Sequence, residues 1–575
     1  MRSQVARVYY KKILLTLFFL FQLPFTVSLA ADWVPGKKKP KLVLQITVDQ
    51  LRGDLPTRYY DRLQDGGFKY LWEKGVVYSN AHHAHAHTET IVGHVTLATG
   101  AHPSIHGMIG NLWFDSAAGR TIYSIEDPDY KLLTSGADVD DKTEIDSAQR
   151  TARSDGRSPA AILVTTFSDE LKSHTGGKAK VFGISIKDRG AVSMAGHAGK
   201  AFWFSKSSGE FVTSNYYYDK YPQWVTAWND KKLAQRYSEK SWQLLHDNKN
   251  YLFGDSDDRA WETDLAGFGR VFPHPYGKSD SKYYMTLLTI GPVGDELTLD
   301  FAKTLLVEEK LGEDEITDYL GISFSSTDHV GHIFGPSSLE AEDNILRLDH
   351  TLAELFKFID KQVGLKNTLI VLSADHGGAD SPGYRNSLNI PAGYIQPDSW
   401  DKDAAISRLK KQFKIKGKLL EKYVRPYLYL SKEVINNKKI NQQALEAAVV
   451  KELSAFPGIS LAVSSTALQQ GNVPDTPLYR SVLNNFYSKR SGDIYVVFEP
   501  NWFINDYEGL TVAATHGSPW RYDTFVPVVF AGAGLKPQRI YRKIQTVDVA
   551  TTLSAFVGIM QPSGARGQIL QEVVR

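Results

Sequence analysis

Two kinds of segment alternate along the chain. Short, almost unbroken apolar runs rich in β-branched residues occur at Leu42–Val48, Val181–Ile186, Tyr319–Ser325, Thr368–Ser373 and Phe525–Ala531. Runs of that length and composition predict strands buried on both faces, as in a parallel sheet. Between them, apolar residues recur every three or four positions. Leu297, Phe301 and Leu305 predict a helix closing at Gly312, Ala341 to Leu355 one from Leu339 to Val363, and a last one runs from Val547 to Val557. Strands alternating with helices predict an α/β fold.

Two stretches depart from this alternation. Ala201 to Tyr218 reads as a hairpin around Ser207-Ser208-Gly209, and the aromatic-rich sequence continues to about Tyr284. Residues 195–285 are therefore expected to be an insertion covering the site. Residues 381–510 read as a second insertion, with Lys-rich helical segments whose charges are solvated faces. There is no internal repeat and no low-complexity tract.

Residues 1–30 read as a signal peptide: Arg2, Arg7, Lys11 and Lys12, an apolar run from Ile13 to Phe21, then Ser28-Leu29-Ala30 as a cleavage site. The run is shorter than the ~20 residues of a membrane span. Residues 31–575 then form the mature domain, in the periplasm or secreted, with no stable membrane anchor. Its 62 basic and 64 acidic residues give a net charge of −2, which argues for no nucleic-acid partner. The chain has no Cys, which excludes disulfides and thiolate metal sites, so any metal rests on His and carboxylates.

The candidate chemistry sits where the apolar runs end. Asp49 follows the first run, Asp328 and His332 follow the third at a spacing of four, and Asp375 and His376 follow the fourth, before two glycines that permit a bend; His516 precedes the last. Strand ends of an open α/β sheet are where ligands bind, and a set of three acids and three histidines suits zinc. Lys187 and Arg189 end the second run, where two positions along an extended segment face one side and offer cations to a phosphate dianion. Thr90 opens a helix-like stretch, where a hydroxyl lies in the positive end of the helix dipole, though a Thr there is more often an N-cap. Asn111 reads as a turn residue able to donate to an anion. The histidine-rich stretch His82–His87 reads as a rim of the site rather than a ligand set, and His329 as structural.

Val48-Asp49-Gln50, Thr90-Ile91-Val92-Gly93-His94, Gly110-Asn111, Asp328-x-x-x-His332, Asp375-His376-Gly377 and Thr515-His516-Gly517 together resemble the alkaline phosphatase superfamily. Their order is similar to that of its phosphate-irrepressible periplasmic alkaline phosphatases, which use a Thr nucleophile. The resemblance runs from about Leu42 to Leu535. It implies a three-layer sandwich with a mostly parallel central sheet, and a monomer that hydrolyses small-molecule phosphate monoesters. It also implies two Zn2+, one on Asp328, His332 and His516, the other on Asp49, Asp375, His376 and the Thr90 oxygen. Thr90 would attack phosphorus, giving a phospho-threonine, while Asn111, Lys187 and Arg189 hold the phosphoryl oxygens. Thr88 is the competing hydroxyl, and spacing to Gly93-His94 favours Thr90. A phosphodiesterase of the same superfamily is the alternative, and the Lys187/Arg189 pair favours the monoester, whose phosphoryl group carries one more negative charge. A sulfatase is disfavoured, since no Cys/Ser-x-Pro-x-Arg motif begins at Thr90. A non-catalytic zinc- or phosphate-binding protein would be expected to lack the nucleophile or a ligand, and none is missing.

Overall fold

In the computed structural model of the protein, residues 39–507 and 510–575 are described; the signal-peptide reading of residues 1–30 falls outside them. The organising element is a ten-stranded sheet. Its strands are β1 (Leu42–Val48), β2 (Val76–His82), β3 (Val181–Ser185), β4 (Lys200–Ser205), β5 (Glu210–Val212), β6 (Asp318–Phe324), β7 (Thr368–Ser373), β8 (Phe525–Gly532), β9 (Gln538–Ile540) and β10 (Ile544–Gln545). The order is β9-β2-β8-β7-β1-β6-β3-β4-β5, with β10 also on β2. The centre is parallel: β1 pairs in register with β6 and β7, and β6 with β3. β8 runs antiparallel to both β7 and β2.

The helices that frame the sheet and the site are α1 (Thr90–Thr99), α2 (Asp188–Ala195), α3 (Pro292–Glu308), α4 (Ser326–Phe334), α5 (Leu339–Gln362) and α6 (Asp548–Val557). Alternate side chains of a strand face opposite ways, and both faces are covered here. Leu42, Leu44, Ile46 and Val48 of β1 and Ile370 and Leu372 of β7 share one core with two long helices. These are α3, through Leu297, Phe301 and Leu305, and α5, through Ile345, Leu348, Leu352 and Leu355. Val43 and Val371 face the other way, into a second core with Leu97 of α1, Met194 of α2 and Val549 and Leu553 of α6. The result is three layers, helix–sheet–helix. Helix α5 starts cleanly because the Ser338 side chain caps the Ala341 N–H.

Residues 195–285 do not cover the site. β4 and β5 are the edge of the central sheet, and Phe211 of β5 and Trp228 of the aromatic stretch after it pack around Phe301 of α3. The 381–510 region builds its own four-stranded sheet (Leu420–Val424, Tyr427–Leu430, Ile459–Ser464, Ile494–Phe498) around a separate core. No helix among the described residues is long and apolar enough to cross a membrane.

Candidate metal and active site

The parallel order β7-β1-β6-β3 places four strand ends side by side, and each delivers site residues. Asp375 and His376 follow β7, Asp49 follows β1, α4 with Asp328 and His332 follows β6, and Lys187 follows β3. Because β8 is antiparallel, the loop entering it, with His516, lies on the same edge. β2 shares the direction of β7, so the chain leaving it toward Thr90 starts there too.

Two donor groups result. Asp328, His332 and His516 form one, and Asp49, Asp375 and His376 the other, each offering three atoms within 4.8 Å of one another. Asp328 Oδ1 lies 3.3 Å from His332 Nε2 and 3.5 Å from His516 Nε2. His376 Nε2 lies 3.4 Å from Asp49 Oδ1 and 3.5 Å from Asp375 Oδ2. The His376 and His516 rings stack with centroids 3.6 Å apart, so the groups adjoin.

The donor atoms fit cations. Each imidazole is tied at Nδ1 to a carbonyl: His332 to Ala514 O at 2.9 Å, His516 to Thr88 O at 2.7 Å, His376 to Gly377 O at 2.8 Å. A carbonyl only accepts, so Nδ1 carries the proton and Nε2 presents a lone pair toward a carboxylate. Asp49 Oδ1 and His376 Nε2 are buried with no hydrogen-bond partner, an arrangement that costs free energy unless a cation lies between them. Burial is the main cause that holds the His516 imidazole well below its ordinary value, and burial lowers His376 as well. Both are thus neutral, the form that binds metal. Burial and the charge of Asp375 push Asp49 well above the usual carboxylate range. Burial works the same way on Asp328, but His332 and Lys187 outweigh it and hold that carboxyl well below the range.

Thr90 is the first residue of α1 and Glu89 is its N-cap, so the capping role does not fall to Thr90. Its Oγ1 accepts from Arg189 Nη2 at 3.1 Å. Thr88, the competing hydroxyl, is buried and donates to Ser518 O at 3.0 Å. Asn111 does the capping work, since its Oδ1 accepts from Ile91 N at 3.1 Å while the residue lines the cleft. Lys187 and Arg189 converge on the site by a different geometry from an extended segment: Lys187 is the N-cap of α2 and Arg189 lies in its first turn. Lys187 Nζ donates to Asp49 Oδ2 at 2.7 Å and to Asp328 Oδ2, bridging the two donor groups. Between the cations, Asp188 turns away to Tyr123 and Arg157.

The histidine-rich stretch is not a rim. His82 and His83 are buried, His83 joins Ala374 O to Thr546 Oγ1, and His87 sits 3.2 Å from Glu89 Oε2. It is scaffold beneath the site. His329, expected to be structural, bonds Thr289 O through Nδ1.

Three supporting roles escape sequence reasoning. Gln50, at φ 64°, bonds Asp375 Oδ1 through its backbone N–H and Asp328 Oδ1 through Nε2 at 2.7 Å, joining the groups. Asp146 pairs with Arg189 Nη1. Glu89 pairs with Arg425 at 3.2 Å and accepts from Asn111 N at 2.6 Å. Asp146 and Glu89 look like ordinary helix-start acids in sequence, and no local signal separates them. A cleft of about 480 Å³ opens over the site. Besides the catalytic candidates, residues between 145 and 151, 395–399, 422–425, and Ile504, Asp506, Leu510 and Val512 wall it.

The family model for type I phosphodiesterase / nucleotide pyrophosphatase matches residues 43–519. The chain is 34% identical to a protein named calcium-transporting ATPase from Myroides odoratus, covering 93% of this chain and 95% of that one. It is 33% identical to the alkaline phosphatase PhoV of Synechococcus elongatus (93% of each chain) and 33% to the alkaline phosphatase PafA of Elizabethkingia meningoseptica (95% and 96%). The crystal structure of wild-type PafA superposes with a TM-score of 0.83 at 32% identity, over 93% of this chain and 99% of that one.

Proposed function

Because the chain belongs to the type I phosphodiesterase / nucleotide pyrophosphatase family, we propose that it is an alkaline phosphatase that hydrolyses small-molecule phosphate monoesters through Thr90. The observation that carries this reading is the convergence of two His/carboxylate groups, an Arg-bonded Thr hydroxyl at a helix start and a buried Lys on one sheet edge. A solved PafA variant has a Thr, an Asn, a Lys and an Arg replaced, the same four residue types assigned here to Thr90, Asn111, Lys187 and Arg189.

One Zn2+ would be held by Asp328, His332 and His516 and another by Asp49, Asp375, His376 and Thr90. When bound, the ions would lower the pKa of the Thr90 hydroxyl and of the attacking water and offset charge on the leaving oxygen. The protein's own part is positional. Arg189 Nη2 sits on the Thr90 oxygen and, with Lys187 and the Asn111 amide, would hold the phosphoryl oxygens, over which charge is spread in a loose transition state. Thr90 Oγ1 would bond to phosphorus as the ester oxygen leaves with a proton, and water would then cleave the phospho-threonine to inorganic phosphate.

The competing activity is diester hydrolysis, which shares the donor groups. Two buried cations on the phosphoryl site suit the extra negative charge of a monoester. The transport named for the Myroides protein is not proposed for this chain. We place the enzyme in the periplasm or outside the cell, as a monomer.

The test is kcat/KM on p-nitrophenyl phosphate and bis-p-nitrophenyl phosphate, with chelator and with zinc restored. A large monoester preference that vanishes with chelator and returns with zinc is expected. A diester preference would move the enzyme to the phosphodiesterase branch, and silence on both would remove the catalytic reading.

A further inference from the structure

The cleft over the site is larger than a phosphoryl group needs, and part of its lining is built by a specific piece of chain. Ala513 N bonds the carbonyl of His332, Val512 N bonds Asn505 O, and Ile395 N bonds Phe503 O. The strands Gly393–Tyr394 and Trp502–Phe503 pair side by side. Backbone bonds therefore run continuously from the metal-site residue His332 outward through 512, 504–505 and 395. Val512, Ile504 and Ile395 all line the cleft, beside Ile333 of α4.

We propose that this ribbon is a leaving-group subsite for a neutral, apolar alcohol, aryl in the first instance. The proposal rests on the phosphatase reading above. Aliphatic side chains cannot hydrogen-bond a sugar, so a polyol leaving group would lose water contacts against them without replacement. The charged residues that the same ribbon brings to the cleft, Asp398 and Asp506, are acids, and they oppose a leaving group with its own negative charge. Thr121, Lys422 and Tyr423 also line the cleft, with Lys422 Nζ donating to Thr121 Oγ1 at 3.1 Å. A planar ring can bury apolar surface against these isoleucine, valine and tyrosine side chains, and that burial is the favourable term.

Contacts to the leaving group that are the same in ground and transition state change KM and leave kcat alone. Ile504 is half-buried, so Ile504→Ser is suited to test the wall and Ile504→Leu to restore it. With the metal-loaded full chain, Ile504→Ser should raise KM for 2-naphthyl phosphate about 10-fold and leave methyl phosphate within about 2-fold, while Ile504→Leu stays near wild type on both. Phenylphosphonate affinity measured by calorimetry should fall with the naphthyl ester, and methylphosphonate affinity should not. Equal changes on both esters, or no change on either, would overturn the subsite while leaving the phosphatase reading intact. No turnover of either ester by the wild-type protein would overturn the phosphatase reading itself and this one with it.

Discussion

Gly93 packs so tightly against Asp375 that a Cβ built on the glycine would overlap the Asp375 carbonyl oxygen. The helix that carries Thr90 therefore rests directly on the segment that supplies two of the candidate metal donors. His94 reinforces the join, with Nδ1 2.9 Å from Thr90 O and 3.1 Å from Asp375 Oδ2. Gly93→Ala would have to push backbone from backbone, with no flexible side chain to yield. It is expected to cost about 1–3 kcal/mol of stability and to lower kcat/KM at least about 10-fold, because a small displacement of reacting groups is expensive. Urea unfolding and monoester kinetics check both, and a stable, fully active variant would show that the two segments move independently.

Thr90→Ala should fold and still hold metal on the carboxylates and imidazoles of both donor groups, yet lose at least about 1,000-fold in kcat, as removal of a nucleophile does elsewhere. Thr90→Ser retains the hydroxyl and should retain measurable turnover. Acid-quenched protein should carry phosphate on residue 90 in the wild type and none in Thr90→Ala. Near-normal turnover by the alanine variant would remove Thr90 from its role.

Asp146 holds Arg189 from one side while Thr90 Oγ1 takes its other nitrogen. Asp146→Asn keeps the shape but replaces a charge-assisted bond with a neutral one, roughly half as strong. Monoester kcat/KM is expected to fall about 10-fold and the diester value much less, with folding unchanged. Equal losses on both esters would mean that Asp146 supports the cleft generally and not the clamp.

Much of the site is legible in the sequence because its donors are tied to local pattern. Asp49, Asp328 and Asp375 each follow an apolar run, and the parallel order of β7, β1 and β6 brings such ends together whatever the intervening sequence. The three layers are legible for the same reason, since buried parallel strands and amphipathic helices have different periods. What escapes depends on contacts across long stretches of chain. Nothing near Asp146 says that it will meet Arg189, 43 residues on, and nothing near Gln50 says that its left-handed backbone will set its amide on Asp328. The 195–285 region misleads because its hairpin adds to the edge of the sheet, away from the cleft, and an aromatic-rich stretch looks alike over a site or over a helix. The histidines at 82–87 mislead because a polar, loop-like composition reads as an exposed rim, and burial under the site leaves no mark in the local sequence.

A last prediction concerns stability and lies outside the cleft chemistry. Both carboxylate oxygens of Glu262 are buried without a partner, while nearby His274 Nε2 lies 3.2 Å from Glu340 Oε1. Burial first, and then the charge of Glu340, push the Glu262 carboxyl up to about 10. A carboxyl whose folded pKa exceeds its unfolded one binds its proton more tightly in the folded state, so stability falls as pH rises between the two values, by up to about 1.4 kcal/mol per pH unit. Below the unfolded pKa both states are protonated and the effect is absent. Glu262→Gln keeps the shape and has no charge to bury. It should match the wild type near the unfolded carboxyl pKa and exceed it by a growing margin toward alkaline pH, read as urea midpoints across that range. Parallel curves for the two proteins would mean that the Glu262 charge is balanced in the folded state, and that its burial carries no penalty at the pH where the enzyme is expected to work.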